Sequence, residues 1–234
     1  MGTLLYYGRA VDPTLAATLS LIAARQANGT EDVKAACHQL LDYCATHPNA
    51  GVRYTASDMI LKIHSDASYL SELGSKSRAA GHFYLSSKGD NDTNNGAILT
   101  LSSIIKHVMT SATEAELAAL FYNCKTAVPL RVTLMEMGHE QPATPVTTDN
   151  AAAHGLLQKS MTPNAKKSMC MRFDWLKDPT VKRMFDYRWE RGYKNRADYH
   201  SKKHSTKHYI TERPNHVVDM KISEEEARMA ARVC

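Results

Sequence analysis

The chain has 234 residues, 43% hydrophobic and 23% charged, ordinary globular usage that excludes wholesale disorder. The longest nearly apolar run, residues 15–24, is about half a membrane span and contains Thr18 and Ser20, and no basic-apolar leader opens the sequence, so no membrane or secretory role is expected. The net charge of +5 is uneven: residues 159–213 hold fifteen Lys and Arg against six Asp and Glu, while the rest holds 14 against 18, which suggests a polyanionic partner for the basic segment, with a solvated helix face as the alternative.

The first sixty residues read as helical. Asp12 precedes Pro13, a favoured helix start, and Leu15, Leu19 and Ile22 recur at helical spacing until Asn28-Gly29. Thr30 caps a second helix with Val33, Cys37, Leu40, Leu41 and Cys44 on one stripe, ending at His47-Pro48-Asn49. Three β-like runs follow, 59–65, 81–87 and 97–105. The turn-rich loop 88–96 predicts a hairpin between the last two. From Thr113 a helix carries Leu117, Leu120, Phe121 and Cys124, and Pro129 is expected to kink it or start a new one.

Residues 144–148 read as a short strand and 150–158 as a helix. Residues 168–184 are mostly helical with an interruption at Asp178-Pro179; 185–190 alternate like a strand; 196–207 read as one helix. Helix propensity returns in the acidic tail, 223–232. The order is β-β-β-α-β-α-β-α behind an N-terminal helical hairpin, which predicts an α/β fold with a mixed sheet and helices on its faces.

Four acids stand out by placement. Asp66 ends the first strand, Glu116 lies in the first turn of the long helix, Asp149 ends the fourth strand, and Asp198 opens the helix after the fifth. Acids at strand ends and helix starts converge on one rim of a sheet, and converging carboxylates suit Mg²⁺ or Mn²⁺. Taken singly, each has a common structural role, Asp149 as a helix cap and Glu116 as a complement to the helix dipole.

His200, His204 and His208 recur at helical spacing, but Lys202, Lys203 and Lys207 surround them, so a solvated basic face is expected in preference to zinc. Cys37, Cys44 and Cys124 sit on apolar stripes and read as core. With Cys170 and Cys234 they make an odd set without Cys-x-x-Cys spacing, which points to a reducing compartment.

These residues resemble the ribonuclease H domain of copia-type retrotransposon Pol polyproteins. Ser65-Asp66-Ala67-Ser68 is similar to that family's first catalytic Asp motif, and residues 110–120 (TSATEAELAAL) to its Ser-Ser-Thr-Glu-Ala-Glu-Tyr-x-Ala-Leu helix. Asp149-Asn150-Ala151-Ala152 matches its Cys-Asp-Asn-Gln-Ser-Ala element, and Asn195-Arg196-Ala197-Asp198 with Ser201-Lys202 matches Asn-Val-Ala-Asp-x-x-Thr-Lys. Residues 167–175 resemble the Lys-His-Ile-Asp-Ile-Arg-Tyr-His stretch, with Arg172 at the Arg. Residues 2–6 and 34–43 look like the helical connection between the family's reverse transcriptase and ribonuclease H.

The resemblance implies a ribonuclease H-like mixed five-stranded sheet with flanking helices over residues 56–213, behind a helical connection over 1–55, with 214–234 a C-terminal tail. It implies two Mg²⁺ ions, with Mn²⁺ as a substitute, held by Asp66, Glu116, Asp149 and Asp198. Glu114 competes with Glu116 for the helix position, and Glu116 is preferred because it precedes the bulky Leu117.

The implied reaction is hydrolysis of the RNA strand of an RNA/DNA hybrid. The expected hybrid contacts are Lys166, Lys167, Arg172, Lys182, Arg183 and Lys202. The sequence has no Asp-Asp pair, so no reverse transcriptase activity is expected, and the chain reads as a Pol fragment lacking the polymerase. Its expected location is the cytoplasm, with a virus-like particle or the nucleus as alternatives. The competing reading is a non-catalytic nucleic-acid-binding or assembly remnant of a Pol protein.

Overall fold

The computed structural model describes residues 2–89, 95–158 and 167–220. Helices α1 (Gly2–Ala10), α2 (Ala16–Arg25) and α3 (Glu31–Thr46) come first. Asp12 accepts Thr14 N–H at 3.0 Å before Pro13, and Thr30 Oγ1 accepts Val33 N–H, so both expected caps form. Leu15, Leu19, Ile22, Val33 and Leu40 make a small core between these helices.

The main sheet has five strands: β2 (Ile60–Glu72), β3 (Lys76–Ser86), β4 (Ala97–Ile105), β5 (Thr144–Thr148) and β6 (Phe185–Trp189), numbered after a short β1 (Ala50–Gly51). Their order is β4-β3-β2-β5-β6. The first three strands pair antiparallel, and β5 runs parallel to both β2 and β6. This is the mixed five-stranded ribonuclease H-like sheet.

Helix α4 (Ala112–Glu136) packs across it, with Leu117, Leu120, Cys124 and Ala127 against Leu61, Ile63, Phe83 and Val146. Helices α5 (Ala151–Leu157), α6 (Lys167–Lys177) and α7 (Pro179–Met184) extend the same core through Leu157, Phe173, Leu176 and Val181. The chain closes with α8 (Asp198–Ser201), α9 (Thr206–Glu212) and β7 (Val218–Asp219), which pairs with β1. No helix among the described residues is long and apolar enough to cross a membrane.

Expectations about element limits are corrected at several places, among them the start of β3 at Lys76 in place of residue 81. The first strand does not end at Ser65: it continues to Glu72, because β3 pairs with it through Ser68 and again at Glu72 beyond a bulge. Helix α4 runs through Pro129 as one element. Lys125, whose carbonyl would have bonded the missing N–H, is exposed along with Pro129, so water can serve that carbonyl. The single helix expected over 196–207 is two short ones, α8 and α9, separated at Lys202, whose backbone is extended (φ −155°, ψ 174°). The acidic tail from 223 onward lies outside the described residues.

Polar links join the N-terminal helices to the sheet. Arg78, 1% exposed in β3, pairs with Glu72 at 2.7 Å and donates to Ser20 of α2 and Ser102 of β4. Arg213 donates to the Tyr43 hydroxyl of α3 at 2.9 Å.

Candidate active site

Parallel pairing of β2 and β5 aligns Ile63 with Val146 and His64 with Thr147. Continuing that register brings Asp66 level with Asp149. Strand β5 ends at Thr148, and Asn150, not Asp149, caps α5 by accepting Ala153 N–H at 2.9 Å. The Asp149 side chain is therefore not used as the cap. Its backbone is fixed instead by Trp189 Nε1, which donates to the Asp149 carbonyl at 2.9 Å.

Glu114 and Glu116 take different roles at the start of α4. Ser111 Oγ accepts Glu114 N–H, and the Glu114 carboxylate reaches back to Thr110 N–H and Oγ1, both at 2.5 Å, as in a reciprocal capping arrangement. Glu116 points instead to the sheet. Its Oε1 accepts Ala67 N–H at 3.1 Å, and its Oε2 lies 3.5 Å from Thr148 Oγ1.

Asp66, Glu116 and Asp149 each offer a carboxylate oxygen to one cluster whose atoms lie within 4.8 Å of one another. Asp66 and Glu116 are buried, and Asp66 Oδ2 has no hydrogen-bond partner among the described residues. Burial, opposed by a Ser201 hydrogen bond and reinforced by the charges of Asp149 and Asp198, pushes the Asp66 carboxyl up to about 7. Burial followed by the charges of Asp66 and Asp149 holds Glu116 well above the usual carboxylate range. Asp149 is raised as well, chiefly by burial. Three carboxyl groups so placed repel one another until protons or a cation neutralise them.

Asp198 stands apart from this trio. It belongs to a second group with His204 and His208, and Lys202 Nζ donates to its Oδ1 at 2.9 Å. His204 Nε2 contacts the Asp198 carbonyl at 2.7 Å. Asp149 and Asp198 line one pocket of about 280 Å³ with Gly192, Tyr193, Asn195 and Arg196. A Cβ at Gly192 would sit 2.8 Å from Asp149 Oδ2, so the glycine leaves the carboxylate its room.

Residues to which the sequence reading assigned no role hold this rim together. Asn195 Nδ2 donates to Ser65 O at 2.9 Å, Arg196 N–H to His64 Nδ1 at 2.9 Å, and Ser68 Oγ to Ser201 O at 2.6 Å. Asn123 of α4 donates to Ser65 Oγ and to Ala80 O, both at 2.8 Å. Buried polar residues at helix-core positions such as Asn123 were the available signal.

The expected hybrid contacts are dispersed. Arg172 lies over the rings of Phe121 and Tyr122, Lys182 Nζ reaches Leu157 O at 3.3 Å, and Lys202 is paired with Asp198. Arg183 is exposed at the end of α7. Lys166 and the side chain of Lys167 lie outside the described residues.

The strand order is that of the ribonuclease H-like sheet expected from the motifs. No family model matches the sequence. The chain is similar to the retrovirus-related Pol polyprotein from transposon TNT 1-94 of Nicotiana tabacum, 25% identical over 178 residues. That alignment covers 76% of this chain but 13% of the polyprotein, so the chain spans a small part of that relative's length. The resemblance to retroelement Pol polyproteins read from the motifs is thus found in an alignment over 178 residues.

Among solved structures, LC11-RNase H1 isolated from compost is 15% identical with a TM-score of 0.46, over 60% of this chain and 91% of that one. The protease-reverse transcriptase of prototype foamy virus is 13% identical with a TM-score of 0.36, over 57% of this chain and 17% of that one.

Proposed function

We propose that this chain is a metal-dependent endonuclease that hydrolyses the RNA strand of RNA/DNA hybrids, derived from a copia-type Pol protein. The observation that carries the reading is the trio of buried Asp66, buried Glu116 and half-buried Asp149, gathered within 4.8 Å with one Asp66 oxygen left unpartnered among the described residues. Such a set fits hard divalent cations, Mg²⁺ with Mn²⁺ as a substitute, taken up as a pair. Asp66, Glu116 and Asp149 would hold them, with Asp198 at the pocket rim completing the set. Bound there, the ions supply Lewis acidity toward a phosphodiester and lower the cost of deprotonating water.

The chain's own groups do the positioning. The Ala67 N–H fixes one Glu116 oxygen, and the Trp189 indole fixes the backbone of Asp149. Gly192 keeps the approach to the Asp149 carboxylate clear. Arg172, Lys182, Arg183 and Lys202, with Lys166 and Lys167, are the proposed contacts to the hybrid's phosphates, in a segment with fifteen Lys and Arg against six Asp and Glu. The pairing of Asp198 with Lys202 is the one observation favouring a non-catalytic nucleic-acid-binding remnant.

Incubation of a labelled RNA/DNA hybrid with Mg²⁺, with Mn²⁺ and with EDTA separates the two readings. Cleavage of the RNA strand that EDTA abolishes supports the nuclease; binding without cleavage under both ions supports the remnant.

A further inference from the structure

A second, fully buried cluster lies behind the α8 helix. His82 of β3, His200 of α8 and His216, just after α9, each offer a ring nitrogen to a group spanning no more than 4.8 Å. All three are buried, and His200 is 0% exposed. Both ring nitrogens of His200 and Nδ1 of His216 lack a hydrogen-bond partner among the described residues. Buried ring nitrogens without partners, as at His200 and His216, are costly.

We infer that His82, His200 and His216 bind a zinc-class divalent cation that clamps the sheet, the α8 helix and the segment after α9 together. Neutral imidazole is the ligand form this metal class takes. Ligand bonds of about 2.0–2.1 Å set three nitrogens roughly 3.4 Å apart, so binding draws the rings inward. The walls are already built: Tyr199 packs on His216 with centroids 4.5 Å apart, and Tyr84 on His82 at 5.5 Å. No carboxylate or thiol joins the set among the described residues.

The Asp198, His204 and His208 group is the weaker zinc candidate, because Lys202 already holds the Asp198 carboxylate and His204 contacts its carbonyl. The three clamp histidines come from distant parts of the sequence, unlike the helical repeat of His200, His204 and His208.

The test uses the full chain, stripped by a strong chelator and titrated with Zn²⁺ and Co²⁺ in millimolar Mg²⁺ to occupy the carboxylates. Expected are one tightly held equivalent of Zn²⁺ and a rise in Tm on its addition. Co²⁺ should give a visible spectrum without a thiolate charge-transfer band, and X-ray absorption on the zinc protein should count about three imidazoles. His200→Gln and His216→Gln should lose the equivalent and the Tm response, while His204→Gln and His208→Gln should keep both. If the glutamine variants do not fold, the imidazole count on the native chain decides. Absence of a stoichiometric equivalent, retention of zinc by folded His200→Gln and His216→Gln, or an imidazole count of one or none overturns the inference.

Discussion

Glu116 Oε1 accepts the N–H of Ala67, the residue after Asp66, so the helix carboxylate is fastened to the strand carrying its acidic neighbour. The cluster is thus held at close range by the backbone even though its charges repel.

Its protonation should set the pH dependence of stability in EDTA. The Asp66 pKa is about 7 when folded and about 3.9 when unfolded, so between those values the folded state holds the extra proton. The stabilisation is fully present below about pH 4 and lost as pH rises through 7, with Glu116 acting in the same direction. Urea midpoints in EDTA should therefore fall from pH 5 to pH 8. Asp66→Asn should flatten that fall and add about 1–4 kcal/mol at pH 8. A midpoint independent of pH in the native chain would reject the repelling cluster.

Divalent ions should reverse the effect. Carboxylates bind metal when deprotonated, so affinity rises with pH. The Tm increase produced by Mg²⁺ should be larger at pH 8 than at pH 6 and absent in Asp66→Asn, as read by calorimetry.

Hybrid cleavage should distinguish the two glutamates. Asp66→Asn, Asp149→Asn and Glu116→Gln each remove ligand charge, and cleavage should fall by at least about 100-fold in every case. Glu114→Gln should instead weaken the helix cap, at a cost of about 0.5–2 kcal/mol in stability. Its cleavage should stay near the native rate. A Glu114→Gln variant as inactive as Glu116→Gln would overturn the assignment.

Hybrid affinity should depend on salt. With about 4–6 phosphate contacts the slope of log K against log salt should be about −3 to −5. Charge reversal at Lys166, Lys167, Lys182 and Arg183 should flatten it without changing the metal requirement. A slope near zero removes these residues from the interface.

The sheet was legible because its signals are local, and three of the four expected acids were legible from the motifs that contain them, while Asp198 stands apart. Val146 with Leu61 and Ile63 gave the strands, and Asp66 and Asp149 sit where the parallel pairing of those strands runs out. The extension of β2 past Ser65 was not legible, because residues 66–72 show no apolar alternation and are held by pairing to β3. The first half of β3 was missed for a related reason: Arg78 is polar by sequence but buried by its bonds to Glu72, Ser20 and Ser102. The tight connection between these strands uses Gly74 and Ser75 at φ 71° and 55°, a short turn with little compositional mark. The histidine spacing misled in the opposite way. The break at Lys202 sends His200 inward, while His204 and His208 stack on each other at 3.9 Å beside Asp198.

The antiparallel contact of Ala50–Gly51 with Val218–Asp219 closes the intervening chain into a hoop, with Tyr43 and Arg213 bonded beside the seam. A hoop fastened at its seam resists peeling from either side: fraying the last strand releases β1, and releasing β1 frees the helices that Arg213 holds through Tyr43. The helical segment and the sheet should therefore exchange their amide protons as one cooperative unit, and a protease cut near residue 50 should loosen residues far along the sequence at the other edge of that seam.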